Sequence, residues 1–240
     1  MSPNLLISFR GRLRQRRNLA RHRRTLNAMT GMDQFRSYVK RVRPDQFLFY
    51  ESRSSEKRLE FQSVTGVLGV NLHGTRFLDI GPGYGDALDV CSENGASRIE
   101  FVETDPFFFT YNRLKGFAQG HEIDLKTELS TLHPMQFDFI WVKGSISPDN
   151  VIFRVNPEAV NRHLLTHWLS QLEKLSAPHG RIVICPYWLH DGQKRRSDDV
   201  GRSFFTETLL KSGYRVLPRI ENHNREPEYP VTFHKIVGVP

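Results

Sequence analysis

Asp79, Gly81, Gly83 and Gly85 stand at alternate positions, and Glu103 follows 18 residues after the last glycine. Glycines accept positive φ and let backbone N–H groups approach a ligand closely. An acid at the end of a following strand can accept hydrogen bonds from both hydroxyls of a ribose. The chemistry these residue types offer is therefore nucleotide binding. The elements around them fit. Phe77-Leu78-Asp79-Ile80 has the length of a buried strand, Asp86 to Asn94 reads as a helix, and Ile99 to Val102 reads as a second strand ending on Glu103. A dinucleotide fingerprint places a further glycine three residues after the second one. Here that position is Asp86, so the close helix packing of a pyrophosphate site is missing.

The G-x-G-x-G spacing with Asp79 two residues upstream resembles motif I of the class I S-adenosylmethionine-dependent methyltransferases, and Glu103 matches that family's ribose-binding acid. The resemblance spans about residues 75–240. It implies S-adenosyl-L-methionine as cofactor, held by Asp79, Gly81, Gly83, Gly85 and Glu103. Glu128 takes the place of the polar residue that meets the adenine amino group in the family. The exit of a fourth strand, Lys143 to Pro148, would lie beside the transferable methyl group. It lacks the Asn/Asp-Pro-Pro-Tyr/Phe motif of enzymes that methylate exocyclic amines of DNA bases, which counts against that activity. Methyl transfer is an in-line displacement, served mainly by positioning; a hydroxyl acceptor also needs a base. His190 is the first candidate for that base and Asp149 the second; Tyr187 could orient the acceptor. Lys143 could stabilise a developing alkoxide or pair with an acidic substrate. Tyr50 and Arg53, upstream of motif I, are further candidates for an acceptor pocket.

The elements that must position these residues alternate in type. Segments 106–118 and 157–175 read as helices, with Val160, Leu164, Leu165, Trp168, Leu169, Leu172 and Leu175 forming an apolar stripe on the second. Strands are expected at 121–128, 137–142 and 181–185, after a turn at Ala177-Pro178-His179-Gly180. A helix at 203–212 capped by Gly213 leads to strands at 214–220 and 232–239. This predicts a doubly wound α/β fold: a mostly parallel seven-stranded sheet with an antiparallel last strand, preceded by a helical N-terminal extension. Residues 33–74 read as a helical cap, with Phe35, Tyr38, Val39 and Val42 on one helix face, Pro44 as its stop, and Leu59, Val64 and Leu68 turned inward on the next helix.

Charge divides the chain. The 240 residues carry a formal net charge of +8. Residues 1–32 hold eight arginines and no acid, so the other 26 basic and 26 acidic residues balance in 33–240. The arm therefore meets something anionic or stays solvated. An anionic membrane surface is the favoured partner; RNA and a solvated tail are the alternatives. No apolar run reaches the length of a membrane span, and Leu5-Leu6-Ile7 is too short for a signal-peptide core, so a cytoplasmic protein, peripheral to a membrane, is expected. Cys91 and Cys185 read as buried thiols, and His163 and His167, four residues apart, lack a third ligand nearby. Three functions compete: a methyltransferase acting on a small-molecule or glycan/lipid-linked acceptor, an RNA methyltransferase that uses the arm, and a non-catalytic binding protein.

Overall fold

The computed structural model describes residues 21–44, 54–123, 129–134, 136–146, 157–185, 196–217 and 232–238. The helices are α1 (Met32–Val42), α2 (Ser54–Val67), α3 (Asp86–Glu93), α4 (Pro106–Leu114), α5 (Glu158–Leu175) and α6 (Arg196–Lys211). The strands are β1 (Arg76–Ile80), β2 (Arg98–Val102), β3 (Gly120–His121), β4 (Phe137–Lys143), β5 (Ser176–Cys185), β6 (Arg215–Val216) and β7 (Phe233–Ile236). They form one seven-stranded sheet in the order β3-β2-β1-β4-β5-β7-β6. Pairings from β3 through β5 are parallel, whereas β7 runs antiparallel to both β5 and β6. The expected doubly wound sheet with its antiparallel last strand is thus present. The winding direction reverses between β1 and β4, and in open α/β sheets ligands bind outside the carboxyl ends of the strands at such a switch point.

Side-chain alternation along the strands divides the core in two. Leu78, Ile80, Ile140, Val142, Ile182 and Ile184 face α5 and α6 through Leu165, Trp168, Leu169, Leu172, Phe205 and Leu209. Phe77, Phe139, Trp141, Val183 and Cys185 face α2 and α3 through Phe61, Val64, Leu88 and Cys91. Period-two alternation puts Asp79 on this second face. Its register partners are Phe101 on β2 and Trp141 on β4. A carboxylate has been placed among aromatic rings, which sets up the chemistry of the site.

Several expectations are corrected. Leu59 is exposed; the inward face of α2 is built on Phe61, Val64 and Thr65, because Leu59 lies two residues, and so about 200° of helix turn, from Phe61. Val160 is also exposed, and buried Asn161 takes the first inward place on α5. The helix expected over 106–118 ends at Leu114, and β3 is two residues long, with 124–128 outside the described residues. The turn at Ala177–Gly180 lies inside β5 as an irregularity: Phe137 pairs with Ser176 but Phe139 with Arg181. Apart from these corrections, His163 and His167 are both exposed, and no metal-binding group of three side chains occurs among the described residues.

A third apolar cluster joins the N-terminal segment to the body. Leu26, Met29, Phe35 and Val39 pack with Tyr84 and Phe107. The backbone carbonyl of Met29 accepts from Arg113, Arg23 pairs with Glu122 at 2.5 Å, and His22 Nδ1 lies 2.6 Å from the Tyr38 hydroxyl. Residues 21–32, grouped with the basic arm from charge alone, are therefore packed against α4.

Candidate cofactor and acceptor cleft

The glycine loop connects β1 to α3. Gly81, Gly83 and Gly85 all have positive φ, at +76°, +56° and +73°. Two of them are confined by neighbouring side chains and the third is open. A Cβ on Gly81 would stand 1.7 Å from Ser145 Oγ, which donates to the carbonyl of Ile80 at 2.9 Å. A Cβ on Gly85 would stand 2.1 Å from Asn112 Oδ1. Gly83 has no atom within 4 Å of that position and lines the cleft, so its bare backbone faces open space. Asn112 fastens the loop to α4: its side-chain amide donates to the carbonyls of Gly83 at 2.8 Å and Phe108 at 2.9 Å. Tyr84 points away from the cleft into the third cluster, with its ring edge-on to Phe108 and Tyr111.

The loop borders a cleft of about 300 Å³ at the carboxyl ends of β1, β2 and β4. Asp79, Asp86, Glu103 and Asp105 line it together with Lys57, Phe61, Trp141, Lys143 and Ser145. A larger hollow of about 550 Å³, beside the amino-terminal end of β2, is lined by residues such as Asp89, Glu93, Arg98 and Lys115. It lies at the opposite edge from the glycine loop and is more open to solvent.

Burial controls the acids. Asp79 is 1% exposed, and its Oδ1 has no hydrogen-bond partner among the described residues. Desolvation first, then the neighbouring Glu103, raises its pKa well above the usual carboxylate range, against the pull of Lys143. The Glu103 carboxyl is pushed up to about 7 by burial, although the backbone N–H groups of Asp105 and Thr104 donate to its Oε1 at 2.9 and 2.8 Å. Asp105 caps α4, accepting from the N–H of Phe107 at 2.9 Å, with Pro106 at the first helical position, as expected. Its other oxygen accepts from Arg43 at 2.6 Å, and that guanidinium lies 3.9 Å over the Phe107 ring.

The structure therefore brings Asp79, Gly81, Gly83, Glu103 and Lys143 to one cleft, whereas Gly85 is not among its lining residues and faces Asn112 and Leu88. Lys143 does not stand alone there: its ammonium is ion-paired with Glu60 of α2. Glu128, Asp149, Tyr187 and His190, like Tyr50 and Arg53, lie outside the described residues. Sequence reasoning missed Asn112, Ser145, Asp86 and Glu60. A signal existed for Asn112, a lone amide amid the Phe107–Phe109, Tyr111 and Leu114 apolar run. Ser145 becomes visible only once β4 is known to lie beside β1.

No family model matches the chain, and no curated protein matches it in sequence. Solved structures do match. DesVI from Streptomyces venezuelae is 14% identical, with 80% of this chain and 96% of that one covered at a TM-score of 0.56. Magnesium protoporphyrin IX methyltransferase (ChlM) from Synechocystis PCC 6803, solved with bound SAH, is 15% identical, with coverages of 75% and 83% and a TM-score of 0.50. The chain has the Rossmann-like fold of the class I adenosylmethionine-dependent methyltransferases. At these identities the likeness is one of fold, and activity has to be argued from the cleft.

Proposed function

We propose that the protein is an S-adenosylmethionine-dependent methyltransferase acting on a small-molecule or glycan/lipid-linked acceptor. The observation that carries this reading is the buried, unpartnered Asp79 Oδ1 beside Glu103 and the open face of Gly83 in one cleft. The donor set fits the cofactor's charge. Four carboxylates converge, and Asp86 occupies the first turn of α3. A pyrophosphate placed at that helix start would meet repulsion, whereas a ligand carrying a sulfonium and an amino group would meet attraction.

Glu103 would accept from the ribose hydroxyls, and Asp79 and Asp86 would face the cationic end. A positive ligand beside Asp79 also offsets the desolvation that raises its pKa. Bound there, the cofactor supplies an electrophilic methyl group. The protein's own part is to orient the acceptor and manage its proton. Trp141 and Phe61, edge-on at 4.9 Å, wall the exit of β4 with apolar surface. The Lys143–Glu60 pair sets one polar anchor next to that wall. β5 ends at Cys185, in register with Lys143 and so at the same sheet edge, five residues before His190 in sequence. That order supports His190 as the base for a hydroxyl acceptor, with Asp149 as the alternative and Tyr187 as an orienting group.

A small acceptor is supported by the absent amine-binding motif after β4 and by the charge balance of residues 33–240. The test is transfer of a labelled methyl group from adenosylmethionine to panels of small hydroxylated compounds, glycans and lipid-linked sugars, with RNA in parallel. Labelling of a member of the first three supports the acceptor class. Labelling of RNA alone replaces it.

A further inference from the structure

Positive charge is concentrated more sharply than composition alone indicates. Residues 1–44 contain twelve basic residues, eleven of them arginine, and a single acid, Asp33; the remaining 196 residues carry 22 basic and 25 acidic side chains. The protein's whole positive charge thus belongs to this segment.

The fold turns much of that charge outward. Helix α1 buries Phe35 and Val39 in the third cluster and half-buries Met32, Tyr38 and Val42. Arg36, Lys40 and Arg41 lie on its exposed side. In the helical segment 21–27, Leu26 is fully buried while Arg21, Arg23 and Arg24 are exposed. An amphipathic helix whose apolar face is already spent on the protein core cannot lay that face into a bilayer. What it offers outside is a cationic surface. Just beyond it, Arg43 reaches Asp105, which lines the cofactor cleft, so this surface and the cleft adjoin.

The sequence before residue 21 extends the same pattern with an added feature. Arg10, Arg12, Arg14, Arg16 and Arg17 are preceded by Leu5, Leu6, Ile7 and Phe9, without an acid. Binding nucleic-acid phosphates needs the arginines only. A bilayer interface uses both parts: apolar side chains enter the acyl boundary while basic ones meet anionic headgroups. Arginine in place of lysine suits bidentate contact with lipid phosphate oxygens. Among the described residues no helix is long and apolar enough to cross a membrane, so an attachment built from these parts is peripheral.

We propose that residues 1–44 dock the protein on an anionic lipid surface, with Arg21, Arg24, Lys40 and Arg41 facing the headgroups and the cofactor cleft held beside that surface. This rests on charge and packing and stands independently of the methyl-transfer reading.

The experiment is sedimentation of the full chain with vesicles of phosphatidylcholine alone and of phosphatidylcholine with phosphatidylserine, at low and raised salt. An RNA hairpin is titrated in parallel. Binding should require phosphatidylserine and weaken with salt. The variant Arg21→Gln, Arg24→Gln, Lys40→Gln should lose about fivefold in affinity per charge, and roughly a hundredfold in all. Arg21→Lys with Arg24→Lys should keep most of it, which separates loss of charge from loss of fold. Equal sedimentation of the glutamine variant, binding to neither vesicle, or tighter binding to the hairpin than to the anionic vesicles would overturn the proposal.

Discussion

The contact between Gly85 and Asn112 links the glycine loop to α4, and a double-mutant cycle measures it. Gly85 has φ of +73°, and a Cβ there would stand 2.1 Å from Asn112 Oδ1. The clash cannot be relieved cheaply. Asn112 is fully buried, and its amide is held by the carbonyls of Gly83 and Phe108. The left-handed conformation alone costs a non-glycine residue about 1–2 kcal/mol. Displacing Asn112 leaves buried partners unsatisfied, at about 1–3 kcal/mol for each group. Gly85→Ala should therefore destabilise the wild-type protein by about 3–5 kcal/mol. In an Asn112→Ala background the obstructing oxygen is gone, and the same change should cost only the backbone term of about 1–2 kcal/mol. The cycle should thus show a coupling of about 2 kcal/mol, read from urea unfolding of the four proteins with unchanged m-values. Penalties that add to within about 0.5 kcal/mol would show that Asn112 is not what demands glycine at position 85.

Four further outcomes are expected. The ionised form of Glu103 is the better acceptor for two ribose hydroxyls, and its carboxyl titrates at about 7, so calorimetric affinity for S-adenosylhomocysteine should fall about tenfold from pH 8 to pH 6; a flat profile would remove Glu103 from the site. The same raised value means the folded protein holds this proton over a range where the unfolded chain has lost it, so Glu103 lowers stability progressively as pH rises from its unfolded value toward about 7. Deleting residues 1–32 removes buried Leu26 and Met29 and should lower the melting temperature, as should Leu26→Ala, which loses about 2–5 kcal/mol; unchanged melting would mean that the segment does not contribute to the fold. His190→Ala should lower turnover on the identified acceptor while leaving cofactor affinity near wild type; unchanged turnover would exclude His190 as the base.

The parts of the fold legible in the sequence were those with local signals. Apolar runs of strand length located β1, β2 and β4, and Asp105-Pro106 marked the start of α4. The glycine turn after β1 was legible because positive φ at Gly81, Gly83 and Gly85 shows in residue type, and Glu103 because it directly follows the apolar run of β2. Periodicity misled where neighbours decide burial. Leu59 and Val160 are apolar but face outward, since the helix phase follows Phe61 on α2 and Leu165 on α5. Charge misled at residues 21–32, where Leu26 and Met29 were hidden among arginines. Asn112 and Ser145 act through contacts 29 and 65 residues away along the chain, to Gly83 and Ile80, and such pairs have no local signature.

The central claim is that the cleft takes a cationic, ribose-bearing cofactor. Calorimetry with S-adenosylmethionine, S-adenosylhomocysteine and NAD tests it most directly, on the wild-type protein and on Gly83→Val, whose side chain would enter the open face of the loop. The account predicts that both adenosyl ligands bind, that NAD binds much more weakly, and that Gly83→Val abolishes binding while the protein stays folded. A preference for NAD, or undiminished binding by Gly83→Val, would contradict it.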